Sequence, residues 1–115
     1  MEKEDARRDL FPGALEMMVL QTLRGRGPLH GYAIAQNIRQ TSGDLLQIEE
    51  GTLYPALQRL LREGWVAAEW GISARNRKVR IYRITPAGRK QLERERELFE
   101  NMHAGISRVM RMVES

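Results

Sequence analysis

One segment limits the fold more than any other. It is Glu50-Gly51-Thr52-Leu53-Tyr54-Pro55-Ala56-Leu57-Gln58-Arg59-Leu60-Leu61-Arg62-Glu63-Gly64-Trp65, followed shortly by the basic stretch Arg75-Asn76-Arg77-Lys78-Val79-Arg80. Leu53, Leu57, Leu60 and Leu61 recur at i, i+4, i+7 and i+8, which predicts a helix with one apolar stripe that must be buried. The opposite face carries Thr52, Pro55, Gln58, Arg59 and Arg62. Arg and Gln can bond bidentately to guanine and adenine in a major groove, and Thr suits a phosphate oxygen or a thymine methyl. An ordinary solvated polar face has the same pattern, so the neighbouring segments have to decide between the two.

The basic stretch narrows the choice. From Gly71 to Arg83 the chain carries Arg75, Arg77, Lys78, Arg80 and Arg83 and no acidic residue, within a net charge of +4. Positive charge concentrated on a short segment is the footprint of a polyanion binder. The 115 residues, 42% hydrophobic and 30% charged, suit one domain with one core. No apolar run is long enough to cross a membrane as a helix. Residues 1–12 begin with mixed charge, read as a mobile tail, and lack the apolar centre of a signal peptide, so a cytoplasmic location is expected. With no cysteine, disulfides, thiolate catalysis and cysteine-ligated zinc are excluded.

Pro12-Gly13 opens onto a helix pattern, Ala14 to Leu23, whose apolar surface is wider than one stripe. Leu15, Met18, Val19 and Leu23 form one face, with Met17 and Leu20 outside it. A helix of this kind serves both a core and a partner, and Leu15 and Met18 are assigned to the partner. Gly25, Gly27 and Pro28 stop it. A second helix is predicted from Gly31 to Gln40 with Ile34, Ala35 and Ile38 inward. Thr41 to Asp44 reads as a turn and Leu45 to Ile48 as a short extended piece. In the third helix, Thr52 as N-cap would put Pro55 in the first turn, where its missing N–H costs nothing; an earlier start would cost a bond.

Trp65 to Trp70 and Val79 to Ile84 read as a β-hairpin closed by a Gly71–Lys78 loop. Alternation does not say which strand faces are buried, and Trp65 and Trp70 are expected in core or dimer packing. Thr85-Pro86 is a strong helix start. From there Leu92, Phe99, Met102, Ile106, Val109 and Val113 fit alternating a and d positions of a heptad, with Glu95 the mismatch. A helix of about 27 residues spans roughly 40 Å, longer than a small domain can cover, so its far end calls for a second chain.

The expected fold is mainly α (α+β): a winged helix-turn-helix with a two-stranded wing over residues 13–85, and a long C-terminal dimerisation helix over residues 86–115. In such a fold the third helix enters the major groove of double-stranded DNA and the hairpin loop follows the neighbouring backbone or minor groove. The candidate DNA contacts are Thr52, Tyr54, Pro55, Gln58, Arg59, Arg62, Arg75, Arg77, Lys78 and Arg80. The candidate homodimer interface is Leu15, Met18, Leu92, Phe99, Met102, Ile106, Val109 and Val113. Tyr54 either packs against the hairpin or reaches a phosphate through its hydroxyl. His30 and His103 have no ligand-spaced neighbours, so no metal site is expected. No phosphate loop, nucleophile elbow or paired-carboxylate motif is present, so neither an enzyme nor a cofactor is expected. The rival reading is a winged-helix protein-interaction module without DNA binding, which would not need so basic a hairpin.

Several pieces together resemble the PadR family of bacterial transcriptional regulators. They are His30-Gly31-Tyr32, Gly51-Thr52-Leu53-Tyr54-Pro55-Ala56-Leu57, Gly64-Trp65, and Tyr82-Arg83-Ile84-Thr85 leading to Gly88. The single C-terminal helix resembles the family's compact branch. The resemblance implies a homodimeric, usually repressing regulator. Thr52, Tyr54 and Pro55 would lie at the DNA-facing start of the recognition helix, and Arg77 and Lys78 at the wing tip. Two departures stand out. Arg80-Ile81-Tyr82 replaces a basic residue followed by two tyrosines. Phe99 stands where some compact members carry a tryptophan that stacks on flat aromatic ligands, which makes it the candidate contact for a small aromatic effector and otherwise a dimer-core residue.

Overall fold

The computed structural model describes residues 13–112. Helix α1 (Ala14–Arg26) leads to a short strand β1 (Leu29–His30), then α2 (Gly31–Thr41), α3 (Glu50–Glu63), the hairpin strands β2 (Val66–Ile72) and β3 (Lys78–Ile84), and the long α4 (Pro86–Met110). This is a winged helix with a long terminal helix. The reading of residues 1–12 as a tail, and of Val113 as an interface residue, falls outside the described residues.

The core forms where the predicted stripes meet. Leu53, Leu57 and Leu60 of α3 are fully buried, joined by Ala56 and packed with Ile34 and Ile38 of α2 and Leu15, Val19, Leu20 and Leu23 of α1. Leu61 is only partly buried, at the edge of this cluster. Helix α3 ends at Gly64, in the left-handed conformation (φ 77°). The amides of Gly64 and Trp65 donate to the carbonyls of Leu61 and Leu60 at 3.1 and 3.0 Å, so the chain turns directly into the hairpin.

The hairpin register settles the strand faces. Val66 lies opposite Ile84 and Ala68 opposite Tyr82, and these residues face the core. Trp65 is half-buried against that core, but Trp70 is 63% exposed, which corrects the core half of its expected core or dimer packing. The side chains set against its ring are those of Lys78 and Arg80, not of the core. The sheet also has a third strand: β1 pairs antiparallel with β3, Leu29 opposite Tyr82. Two residues are too few to show alternation; they become a strand only by lying along the free edge of β3. Leu45 to Ile48 forms no strand, although Leu46 and Ile48 pack on the core.

Two further expectations change. Helix α3 starts at Glu50, with Glu49 as N-cap, so Thr52 is a helical residue whose amide donates to the Glu49 carbonyl at 3.0 Å. Pro55 therefore lies inside the helix and leaves the Gly51 carbonyl without its amide. Gly51 is exposed, so water can take that carbonyl and the loss is small. The second correction concerns Leu15 and Leu92, assigned to the dimer interface. Leu15 is 6% exposed and Leu92 fully buried, both in this chain's own core. The first turns of α4 lie against α1, and that contact takes the part of the heptad stripe that the sequence assigns to a partner.

Helix α4 begins as its cap predicts. The Gly88 amide donates to Thr85 Oγ1 at 3.0 Å, and that hydroxyl donates to the Gly64 carbonyl at 2.7 Å. A single side chain thus ties the end of α3 to the start of α4. Beyond Leu92 the helix runs out of the core: Met102, Ile106 and Val109 are 40, 42 and 65% exposed.

Candidate nucleic-acid interface

Burial of Leu53, Ala56, Leu57 and Leu60 turns the opposite side of α3 outward. Gly51, Pro55, Gln58 and Arg62, spaced i, i+4, i+7 and i+11, form its exposed ridge. Thr52 is half-buried on one flank and Tyr54 is 40% exposed on the other. Arg62 has no carboxylate partner among the described residues. Arg59 differs: its Nε–H donates to Glu16 Oε2 of α1 at 2.7 Å, and its Nη2 pairs with the same oxygen. The structure therefore separates two arginines that the helical wheel treats alike.

Tyr54 packs over the start of α2. A Cβ at position 31 would lie 2.7 Å from the Tyr54 hydroxyl oxygen and 3.0 Å from its ring, so Gly31 and Tyr54 fit only as a pair. Burial raises the Tyr54 pKa, with Glu50 and then Tyr82 adding to the effect. The phenol stays protonated at neutral pH and keeps its donor for an acceptor such as a phosphate oxygen. The motif residues Trp65 and Gly88 meet in the same way. A Cβ on Gly88 would fall 2.0 Å from the Trp65 carbonyl oxygen, so only glycine lets α4 start against the base of the hairpin.

The wing tip is a short turn. Ser73 and Arg77 close it, the Ser73 amide donating to the Arg77 carbonyl at 2.8 Å and the Asn76 amide to the Ser73 carbonyl at 2.9 Å. Asn76 sits at φ 61°, the left-handed position such a three-residue loop requires and that Asn tolerates. The Ser73 hydroxyl accepts from the amides of Arg75 and Arg77, which steadies the backbone beneath both cations. Arg75, Arg77, Lys78 and Arg80 are all exposed, and none has a carboxylate partner among the described residues.

Trp70, which sequence reasoning assigned to packing, organises one face of this hairpin. Lys78 Nζ stands 5.0 Å from its ring centroid and Arg80 Cζ 5.7 Å, with Arg80 directly across from Trp70 in the register. Cation–π contacts of this kind are worth about 0.5–1 kcal/mol when exposed. They hold two cations in place without neutralising them, as a carboxylate would. The hairpin register, not alternation in the sequence, sets Arg80 opposite Trp70.

Elsewhere charge is paired: Arg24 of α1 meets Glu93 of α4 at 2.7 Å, and within α4 Arg96 lies 3.8 Å from Glu100. Met17, Met18, Gln21 and Phe99 line a concavity of about 340 Å³, and Gly13, Ala14, Leu98, Phe99 and Met102 help line a second of about 280 Å³. Phe99 stacks on His103, centroids 5.9 Å apart and planes at 23°.

Comparison with known proteins identifies this arrangement. Residues 19–94 match the transcriptional regulator PadR-like family. A transcriptional regulator of Mycobacterium tuberculosis is 34% identical over 74 residues, covering 64% of this chain and 65% of that protein. The structure of a transcriptional regulator from Clostridium thermocellum is similar with a TM-score of 0.76 at 32% identity, covering 84% of this chain and 93% of that one. Bacillus subtilis PadR, solved in complex with operator DNA, is similar with a TM-score of 0.60 at 26% identity, over 69% of this chain and 43% of that one. With its winged helix and the matched family region spanning α1 to the start of α4, the chain belongs to the PadR-like family of transcriptional regulators.

Proposed function

We propose that this regulator binds double-stranded DNA sequence-specifically as a homodimeric repressor, with α3 in the major groove and the β2–β3 wing on the adjacent backbone. The observation that carries this reading is the set of exposed cations, Arg62, Arg75, Arg77, Lys78 and Arg80, held on α3 and the hairpin without a carboxylate partner among the described residues. Gln58 and Arg59 are the base-edge candidates, Thr52, Tyr54 and Pro55 meet the groove wall, and Arg62 and the wing cations meet phosphate. The similarity to a PadR solved with operator DNA supports the same mode. Residues 13–85 serve as the DNA-binding unit, and such a role belongs in the cytoplasm.

Dimerisation rests on the apolar side chains that the chain leaves uncovered. Met102, Ile106 and Val109 on α4 and the concavities by Met17, Met18 and Phe99 offer knobs and seats to a second copy. A dimer would present two α3 helices to half-sites about 10 base pairs, or a multiple, apart in a pseudo-palindrome. Phe99 is the candidate stacking surface for a small aromatic effector, with His103 already against it.

The test is a gel-shift titration against the chain's own upstream DNA and a scrambled duplex of equal length, across a salt series. Selective binding that survives physiological salt is the expected result. Equal binding that vanishes with salt leaves a generic basic domain, and no binding at low salt favours a protein-interaction module.

A further inference from the structure

We infer that Glu16, on α1 and outside both DNA-facing elements, is a specificity-determining positioning residue that acts through Arg59. The inference rests on the DNA-binding reading above. The Arg59 guanidinium gives its Nε–H to Glu16 Oε2 at 2.7 Å, and its Nη2 forms an ion pair with the same oxygen. The Glu16 side chain is 19% exposed and that of Arg59 50%. A guanidinium is planar with its donors in a fixed fork, so holding one side edge sets the plane of the whole group. The end-on edge, Nη1 with Nη2, makes no other hydrogen bond among the described residues. Two parallel N–H groups of that kind match O6 and N7 of guanine.

Two effects separate Arg59 from its neighbour Arg62. The pair orders a long side chain before DNA arrives, so less freedom is lost on binding. It also offsets the charge that would draw Arg59 to the nearest phosphate, the contact that carries no sequence information. Exchanging Glu16 for a phosphate would leave a largely covered carboxylate unpaired beside a polyanion, which opposes the exchange. Arg62, with no carboxylate partner among the described residues, can take phosphate. Glu16 thus assigns base reading to one arginine and leaves backbone binding to the other.

The experiment compares full-length wild type, Glu16→Gln, Arg59→Ala and the double variant on the selected upstream fragment and on scrambled DNA across salt, with thermal melting alongside. Glu16→Gln should strengthen binding to scrambled DNA, steepen the salt slope by about 0.9 and lower the ratio of specific to scrambled affinity on the order of tenfold. Arg59→Ala should lose the ratio without steepening the slope, and the double variant should match it. Glu16→Gln with an unchanged ratio overturns the inference, whether melting falls, which makes the pair structural, or both affinities rise together, which makes Glu16 a simple shield. If Glu16→Gln does not fold, Arg59→Lys keeps the charge but lacks the fork; a retained ratio there overturns the inference as well. Wild type that binds both duplexes equally would remove the DNA-regulator reading itself, and this inference with it.

Discussion

Gly88→Ala is the most exacting test of how the two halves of the molecule are joined. The added methyl would stand 2.0 Å from the Trp65 carbonyl oxygen and 2.9 Å from Ile84 Cγ1. Ordinary contact needs well over 3 Å, so the start of α4 or the base of the hairpin must move by roughly an ångström or more. Neither can move alone, because Thr85 Oγ1 holds the Gly88 amide at 3.0 Å and the Gly64 carbonyl at 2.7 Å. Overpacking costs about 1–3 kcal/mol and a lost N-cap about 1 kcal/mol, which together give about 2–4 kcal/mol. Urea unfolding at fixed protein concentration reads this as a lower midpoint, by about 1–2 M, with an unchanged slope. Gly25→Ala is the control: its methyl meets only Gln21 Nε2 at 4.0 Å, on the exposed last turn of α1. That variant should gain about 0.5–1 kcal/mol. The same chemical change then acts with opposite sign at two sites. A Gly88→Ala midpoint equal to wild type would refute the close approach of α4 to the Trp65 carbonyl.

Other outcomes follow from the same geometry. Leu57→Ala removes a fully buried side chain beneath α3 and should cost roughly 2–5 kcal/mol by leaving a cavity; melting near wild type would contradict its place in the core. Replacing Arg77 and Lys78 by Ala should weaken binding to all sequences and reduce the salt slope by about 0.9 for each lost phosphate contact; an unchanged slope takes the wing out of the mechanism. Trp70→Leu should weaken binding to specific and scrambled DNA about equally, since it releases Lys78 and Arg80 without removing charge. Binding indistinguishable from wild type would leave Trp70 with no part in presenting them. Ile106→Glu should convert a dimer to monomer in sedimentation and remove high-affinity binding, whereas a persisting dimer would place the interface elsewhere.

Much of this was legible in the sequence because it is local. The i, i+4, i+7 spacing of Leu53, Leu57 and Leu60 makes a stripe whatever it packs on, and the Thr85-Pro86 pair starts a helix through its own hydroxyl and fixed φ. The unmixed charge from Arg75 to Arg83 likewise sets the character of the hairpin by itself. Tertiary structure decided the rest. Periodicity says that a side chain is covered, not by what: Leu92 and Met102 share one heptad stripe, yet the first is buried against this chain and the second is 40% exposed. Likewise Arg59 and Arg62 share a helix face, and only the placement of α1 beside α3 brings Glu16 to one of them. An ion pair between residues 43 positions apart depends on where two helices lie in space, and no local pattern carries that information.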